Sequence, residues 1–178
     1  MARLNAEAVK LDEKIRTLGQ ELSAERKAIA PKLVEEAERQ LNDLGFLQSR
    51  FDVEIIGPSE LGQAEAAVSR TGFDQIEFLF APNPGEPFKP LKAIASSGEM
   101  ARVMLALKTV LATQDSIPIL VFDEVDSNLG GETAGVVGEK MKQIGANRQV
   151  LCITHLAPVA AAGHRHYLVS KEVVEGRT

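Results

Sequence analysis

The run Ile117-Pro118-Ile119-Leu120-Val121-Phe122-Asp123-Glu124 ends an apolar stretch in two adjacent carboxylates. A strand of that kind delivers its last side chains at the C-terminal edge of an open α/β sheet, where such sheets bind ligands. There Asp123 is placed to hold Mg2+ directly or through water, and Glu124 to orient or deprotonate an attacking water. A solvated loop after a strand accounts for an isolated acidic pair equally well. Upstream, Ala95-Ser96-Ser97-Gly98-Glu99 opens a helix. Small residues and a serine at a helix start offer free backbone N–H groups and a hydroxyl to an anion such as a phosphate. Plain capping explains the same residues without a ligand: Ser96 or Ser97 as N-cap, with Glu99 completing a capping box. Downstream, Val150-Leu151-Cys152-Ile153-Thr154 runs into His155, whose ring then lies on the same sheet edge as the acidic pair, in reach of a terminal phosphate.

Other reactive residue types carry less. Cys152 is flanked by apolar residues in mid-strand, the setting of a packed thiol, and no activating base stands near it in sequence. His164 and His166 have no acidic or cysteine ligand at short spacing, which argues against zinc. Lys89, Lys92, Arg102 and Lys108 are candidates for contacting DNA, with scattered surface bases as the default explanation. The 178 residues carry 20 basic and 25 acidic side chains, net −5, so bulk charge does not advertise a nucleic-acid binder. Trp is absent and Tyr occurs once, which removes aromatic base-stacking platforms. The single cysteine excludes an internal disulfide and fits a reducing compartment. With no stretch apolar enough for a membrane span and no leader at the start, the expectation is a cytoplasmic protein.

The elements that must position these residues follow from periodicity. The first segment is built of strong helix formers, with Leu4, Leu11 and Leu18 at heptad a positions and Ala8, Ile15, Leu22 and Ile29 at d. The heptad breaks at Glu25, Pro31 restarts a helix, and Leu33, Ala37, Leu41 and Leu44 continue one stripe until Gly45 ends it. This predicts a coiled-coil strand whose mate lies outside the sequence; an amphipathic helix packed on its own domain is the alternative. Phe51, Val53 and Ile55, then Ile76, Phe78 and Phe80, alternate as half-buried strands. Gly57 to Gly72 is polar and turn-rich, and Ala81 to Pro87 is too proline-rich for regular structure. Helices are expected over residues 96–113 and 132–144. Continuous apolar runs predict strands buried on both faces at 117–122 and 149–154, with a third strand at 167–170. Helices alternating with such strands indicate an α/β fold with a mostly parallel sheet and flanking helices. The organisation expected is a coiled-coil stub with its linking helix over 1–44 and one lobe over 45–178.

Taken in order, S-S-G-E before a helix, then I-L-V-F-D-E, then V-D-S-N-L-G-G, then I-T-H resemble the second half of an ABC-type ATPase head. They correspond to its signature motif, Walker B, D-loop and switch histidine. The longer runs I-A-S-S-G-E-M-A-R-V-M-L-A-L-K-T-V-L and R-Q-V-L-C-I-T-H-L-A-P-V-A-A are similar to the bacterial RecN family of DNA repair ATPases, within the SMC-like group. In that group a long coiled coil separates the two halves of one head. The resemblance implies the C-terminal lobe of such a head, preceded by the returning coiled-coil helix. It implies ATP and Mg2+ as cofactors. Asp123 would hold the metal through water; Glu124 and His155 would be catalytic; Ser96, Ser97, Gly98 and Glu99 would be cofactor-binding, Ser96 and Gly98 on the γ-phosphate of ATP held by a second head; and Asp126, also cofactor-binding, would line the dimer interface. Its implied partners are the N-terminal half of the same protein, a second copy through ATP-sandwiched heads, and DNA, in a nucleoid-associated setting. Ser97 stands where the signature usually has its first glycine. No G-x-x-x-x-G-K-S/T occurs, so the phosphate-cradling loop must come from the N-terminal half, and the chain alone is expected to be inactive. The alternative is a non-catalytic coiled-coil scaffold with a remnant ATPase fold. A helicase, suggested by Asp123-Glu124-Val125-Asp126, is set aside because I-T-H follows where helicases carry S-A-T.

Overall fold

A computed structural model describes residues 1–57 and 69–170. The chain divides into two units, Met1–Ala95 and Ser96–Thr178.

The first unit is built on one helix, α1 (Ala2–Asp43), of 42 residues, roughly 63 Å at 1.5 Å per residue. It runs through Pro31 without ending, where the sequence predicts a restart. Proline removes one hydrogen bond, to the Lys27 carbonyl, and both residues are exposed, which leaves that carbonyl open to solvent. Leu4, Leu11, Ile15, Leu18 and Ile29 are exposed along the first part of α1, whereas Ala37, Leu41 and Leu44 near its end are fully buried. The helix closes as the sequence predicts. Gly45 takes φ 91°; its N–H donates to Asn42 O at 3.1 Å, and the Phe46 N–H donates to Leu41 O at 3.1 Å. That is the Schellman pattern, which needs a residue free to adopt positive φ.

Strand β1 (Arg50–Ile56) pairs antiparallel with β2 (Gln75–Ala81), with Phe51 opposite Phe80, Val53 opposite Phe78 and Ile55 opposite Ile76. The short β3 (Lys89–Pro90) adds to β2, giving the order β1-β2-β3. The end of α1 packs on β1, and the Phe51 N–H donates to Glu38 Oε1 at 3.0 Å. Phe46 meets Phe80 edge to face, ring centroids 5.3 Å apart, a favoured aromatic geometry. Gly19 is the odd residue in the heptad stripe, and its use is steric: a Cβ there would lie 2.0 Å from the Phe73 ring. Beside that ring, the buried Asp74 carboxylate accepts from Ser23 Oγ at 2.6 Å and from Arg26 Nη1 at 2.9 Å. Most of the polar segment between β1 and β2 lies outside the described residues.

The second unit carries the motifs. Its order is α2 (Ser97–Val110), β4 (Ile119–Phe122), α3 (Gly131–Gly145), β5 (Gln149–Cys152) and α4 (Ala157–Ala161). Strands β4 and β5 pair in parallel, Phe122 opposite Cys152, joined by the α3 crossover. Val103, Leu105, Ala106, Leu120, Phe122, Val137, Met141, Ile144 and Val159 form the core. Two expectations are corrected. The strands are not buried on both faces: Leu120 and Phe122 face the core, while Ile119, Val121, Leu151 and Ile153 are exposed. Among the described residues of this unit, no element covers that second face. Residues 167–170 form no strand; Tyr167, Leu168 and Val169 are exposed with no ladder partner there. No helix among the described residues is long and apolar enough to cross a membrane.

Candidate functional site

Three segments far apart in sequence meet at the C-terminal edge of β4 and β5. The first is the start of α2. Ser96 takes the N-cap, with extended backbone, and its Oγ accepts the Glu99 N–H at 3.3 Å. The capping reading of Ser96 is thus realised, and Glu99 lies in the first helical turn, where a carboxylate suits the helix dipole. Ser97 does something else: its hydroxyl donates to Glu124 Oε2. Gly98 is buried, and a Cβ there would meet Ser127 Cβ at 2.9 Å and the Glu124 carbonyl oxygen at 3.1 Å. Only a glycine lets the first turn of α2 lie this close to the chain leaving β4.

That chain turns sharply. Glu124 takes φ 57° and Asn128 φ 61°, both in the left-handed region, a conformation that costs a non-glycine residue on the order of 1 kcal/mol or more and clusters at functional sites. The Ser127 N–H donates to Glu124 O at 3.0 Å and the Leu129 N–H to Asp126 O at 3.3 Å, closing two successive turns. Arg102, one turn into α2, donates from Nη1 to Ser127 O at 3.0 Å. Burial pulls its guanidinium pKa down, opposed by the nearby Glu99 carboxylate. Asp123 and Glu124 are exposed, whereas Val125 and Asp126 are buried.

Asp126 gathers the end of β5. Its Oδ2 accepts the Thr154 hydroxyl and the His155 N–H, the latter at 3.3 Å, and His155 Nδ1 lies 3.7 Å from the same oxygen. The His155 ring itself is largely exposed. Cys152, in β5, is pushed up to about 11 by burial and then by the charges of Asp126 and Asp123, so at neutral pH it is a thiol and no nucleophile.

The structure therefore joins Ser97 to Glu124, and Asp126 to Thr154 and His155, and packs Gly98 on the turn between them. Sequence reasoning missed two members. Thr154 lay inside the quoted I-T-H run yet had no role until Asp126 was seen beside it. Arg102 lay in the helix after S-S-G-E and was weighed only as a DNA contact; its spacing from Gly98, one helical turn, was the signal. His164 stays outside this cluster, and His166 Nε2 pairs with Ala160 O at 2.8 Å.

The donor set suits an anion with a metal rather than a metal alone. Among the described residues, no group of three or more His, Cys, Asp or Glu is placed to hold a metal ion. Asp123 offers one exposed carboxylate, which fits Mg2+, an ion commonly held by one or two carboxylates together with phosphate oxygens and water. The Ser96 hydroxyl and the free N–H groups at the start of α2 fit phosphate oxygens.

No family model matches the chain. It is 46% identical over 157 residues to the DNA repair protein RecN of Treponema pallidum, covering 86% of this chain and 27% of that protein. It is 40% identical over 165 residues to the DNA repair protein RecN of Xylella fastidiosa, covering 93% of this chain and 29% of that one. Among solved structures, the Smc head domain with a coiled coil and joint from Pyrococcus yayanosii matches with a TM-score of 0.61 at 20% identity, over 91% of this chain and 29% of that chain. That likeness carries the fold: an α/β lobe of an SMC-type head with a long helix before it. The chain spans less than a third of the length of the relatives it matches, and on these identities it belongs to the RecN family, corresponding to the C-terminal part of its members.

Proposed function

We propose that this chain is the C-terminal half of an ATPase head in a DNA repair protein of the SMC-like kind, supplying four of the elements of a composite ATP site and inactive until the N-terminal half adds the phosphate-cradling loop. The observation that carries the reading is the convergence just described: the start of α2, the turn after β4 and the end of β5 share one sheet edge. ATP with Mg2+, when bound, supplies the scissile phosphate and neutralises its charge. Asp123 faces the metal, directly or through water. Glu124 orients the attacking water and takes its proton. His155 donates to the terminal phosphate from a ring oriented by Asp126, and Asp126, held by Thr154, fixes the turn at the dimer interface. Ser96, Gly98 and Glu99 form the end of α2 that meets a phosphate held by a second copy. The exposed apolar face of Ile119, Val121, Leu151 and Ile153 fits burial against the N-terminal half, and the exposed stripe on α1 fits a coiled-coil mate. In this reading residues 1–44 are the arm's stub and 45–178 the lobe; the partners are the N-terminal half, a second head and DNA, and the place of action is the cytoplasm.

Calorimetry with ATP tests the incomplete site. The chain alone should bind none at micromolar concentration, and its mixture with the N-terminal half should bind. Micromolar binding by the chain alone overturns the division of labour. Complementation tests the shared site: Ser96→Arg heads, mixed with heads lacking a working phosphate loop, should recover part of the hydrolysis, because one composite site then keeps both intact parts. No recovery with both proteins folded counts against Ser96 acting across the dimer.

A further inference from the structure

We propose that Ser97 is a positioning residue: its hydroxyl holds the Glu124 carboxylate at the first turn of α2, a contact that must break before the phosphate of a facing head's nucleotide can approach, so that closing the dimer frees the base. The inference rests on the reading above, that the start of α2 meets a phosphate and Glu124 serves the attacking water.

Three observations carry it. The Ser97 hydroxyl has one proton, and it is committed to Glu124 Oε2, so it cannot at once be donated to a phosphate oxygen. The carboxylate that accepts it sits at a helix start, the place where the backbone dipoles favour an anion, and a phosphate arriving there meets a like charge. The backbones on either side are packed closely and tied together. Gly98 packs against Ser127 and the Glu124 carbonyl with no space for a Cβ, and Arg102 ties Ser127 O to α2. What remains free to turn is the exposed Glu124 side chain, on a backbone already held at φ 57°. The same contact that satisfies Glu124 in the free head thus ties one of its two carboxylate oxygens to the start of α2. A glycine at 97 would leave the carboxylate without this donor.

The test uses the full-length protein and a non-hydrolysable ATP analogue, with light scattering reading the protein concentration at half-maximal head dimerisation. Ser97→Ala should lower that concentration about fivefold, the worth of one partly exposed hydrogen bond to a charged group. Glu124→Ala, which removes the acceptor, should lower it as well. The double variant should add less than twofold to either, because both changes release the same contact. Ser97→Thr, which retains a hydroxyl, should stay close to wild type. An unchanged or raised half-point for Ser97→Ala, with its melting temperature at the wild-type value, overturns the proposal, as does full additivity in the double variant. If Ser97→Ala melts early, Ser97→Gly takes its place under the same criteria. Wild-type protein that never dimerises with the analogue overturns the underlying reading instead, and this inference with it.

Discussion

Gly19→Ala sets two magnitudes against each other. In an exposed helix interior the change should stabilise, because alanine is favoured over glycine by about 1 kcal/mol. Here the new Cβ would fall 2.0, 2.3 and 2.7 Å from three atoms of the Phe73 ring, so the ring must withdraw by more than 1 Å, on the order of what ordinary carbon contacts at 3.5–4 Å require. Undocking a half-buried phenylalanine costs about 1–1.5 kcal/mol. It also loosens Asp74, next in sequence, whose carboxylate accepts from Ser23 and Arg26; a buried acceptor partly losing its donors costs a further 1 kcal/mol or so. The contact outweighs the propensity, and the net expectation is destabilisation of about 1 kcal/mol. Hydrogen exchange along α1 and residues 69–81 reads the change locally, and urea titration followed by circular dichroism reads it for the helix. Phe73→Ala in the Gly19→Ala background should then be nearly free of cost, since the ring has already left. Stabilisation by Gly19→Ala alone, or a full cost for Phe73→Ala in that background, would refute the steric account of Gly19.

In reconstituted heads, Glu124→Gln should keep ATP binding while slowing turnover by two or more orders of magnitude, since an amide can hold the water but cannot take its proton; hydrolysis at the wild-type rate would remove Glu124 from the mechanism. Gly98→Ala should cost about 1–3 kcal/mol in thermal or urea unfolding, as overpacking against Ser127 and the Glu124 carbonyl, and an unchanged melting point would show that the turn yields. Cys152, held near 11 against an ordinary 9.0, should be alkylated by iodoacetamide at pH 8 about 100-fold more slowly than a free thiol, and labelling at the free-thiol rate would contradict its burial. Asp74 is pushed up by burial, but the hydrogen bonds from Ser23 and Arg26 and the nearby cations outweigh this and leave its pKa below the ordinary 3.8. A depressed carboxylate stabilises fully above the unfolded value and loses that contribution as pH falls through the folded one. Acid titration below about pH 4 should therefore release residues 69–75 from α1 in the wild type, and Arg26→Ala should move that release to higher pH, as seen by hydrogen exchange; no shift would mean that the pair contributes nothing.

Much of this was legible because the deciding physics is local. Gly45 ends α1 where a residue at positive φ is needed, and the alternation of Phe51, Val53, Ile55 and of Ile76, Phe78, Phe80 marks both strands, whose pairing the structure supplies. The start of α2 fell at Ser96 because a serine cap and an acid three residues on specify a helix start. Failures came where the outcome depends on something distant. Pro31 forbids one hydrogen bond, but whether a helix breaks there turns on whether the orphaned carbonyl reaches water, which no local pattern states. The continuous apolar runs of β4 and β5 predict burial on both faces, and that failed for one face: composition makes both sides apolar but does not say that any element among this unit's described residues covers the second. Residues 167–170 read as a strand by composition, yet a strand exists only with a neighbour to bond. Within the site, Asp123, Glu124 and His155 were legible from strand ends, whereas the Ser97–Glu124 and Thr154–Asp126 contacts, 27 and 28 residues apart, depend on tertiary packing.

Ser96 shows why a realised cap does not retire the phosphate reading. A serine hydroxyl holds two acceptor lone pairs and one proton. Capping uses a lone pair: Oγ accepts the Glu99 N–H. Binding a phosphate oxygen would use the proton, which the cap leaves unspent. The two roles therefore occupy opposite ends of one group and do not compete. A loss of stability in Ser96→Ala, about 1 kcal/mol for a lost cap, would consequently say nothing about the ligand, since both roles vanish together. Ser97 differs in this respect. Its proton is already given to Glu124, so for Ser97 a structural contact and a phosphate contact do exclude one another. Of two adjacent hydroxyls at one helix start, one is compatible with a phosphate from the outset and the other only after its present partner has moved away.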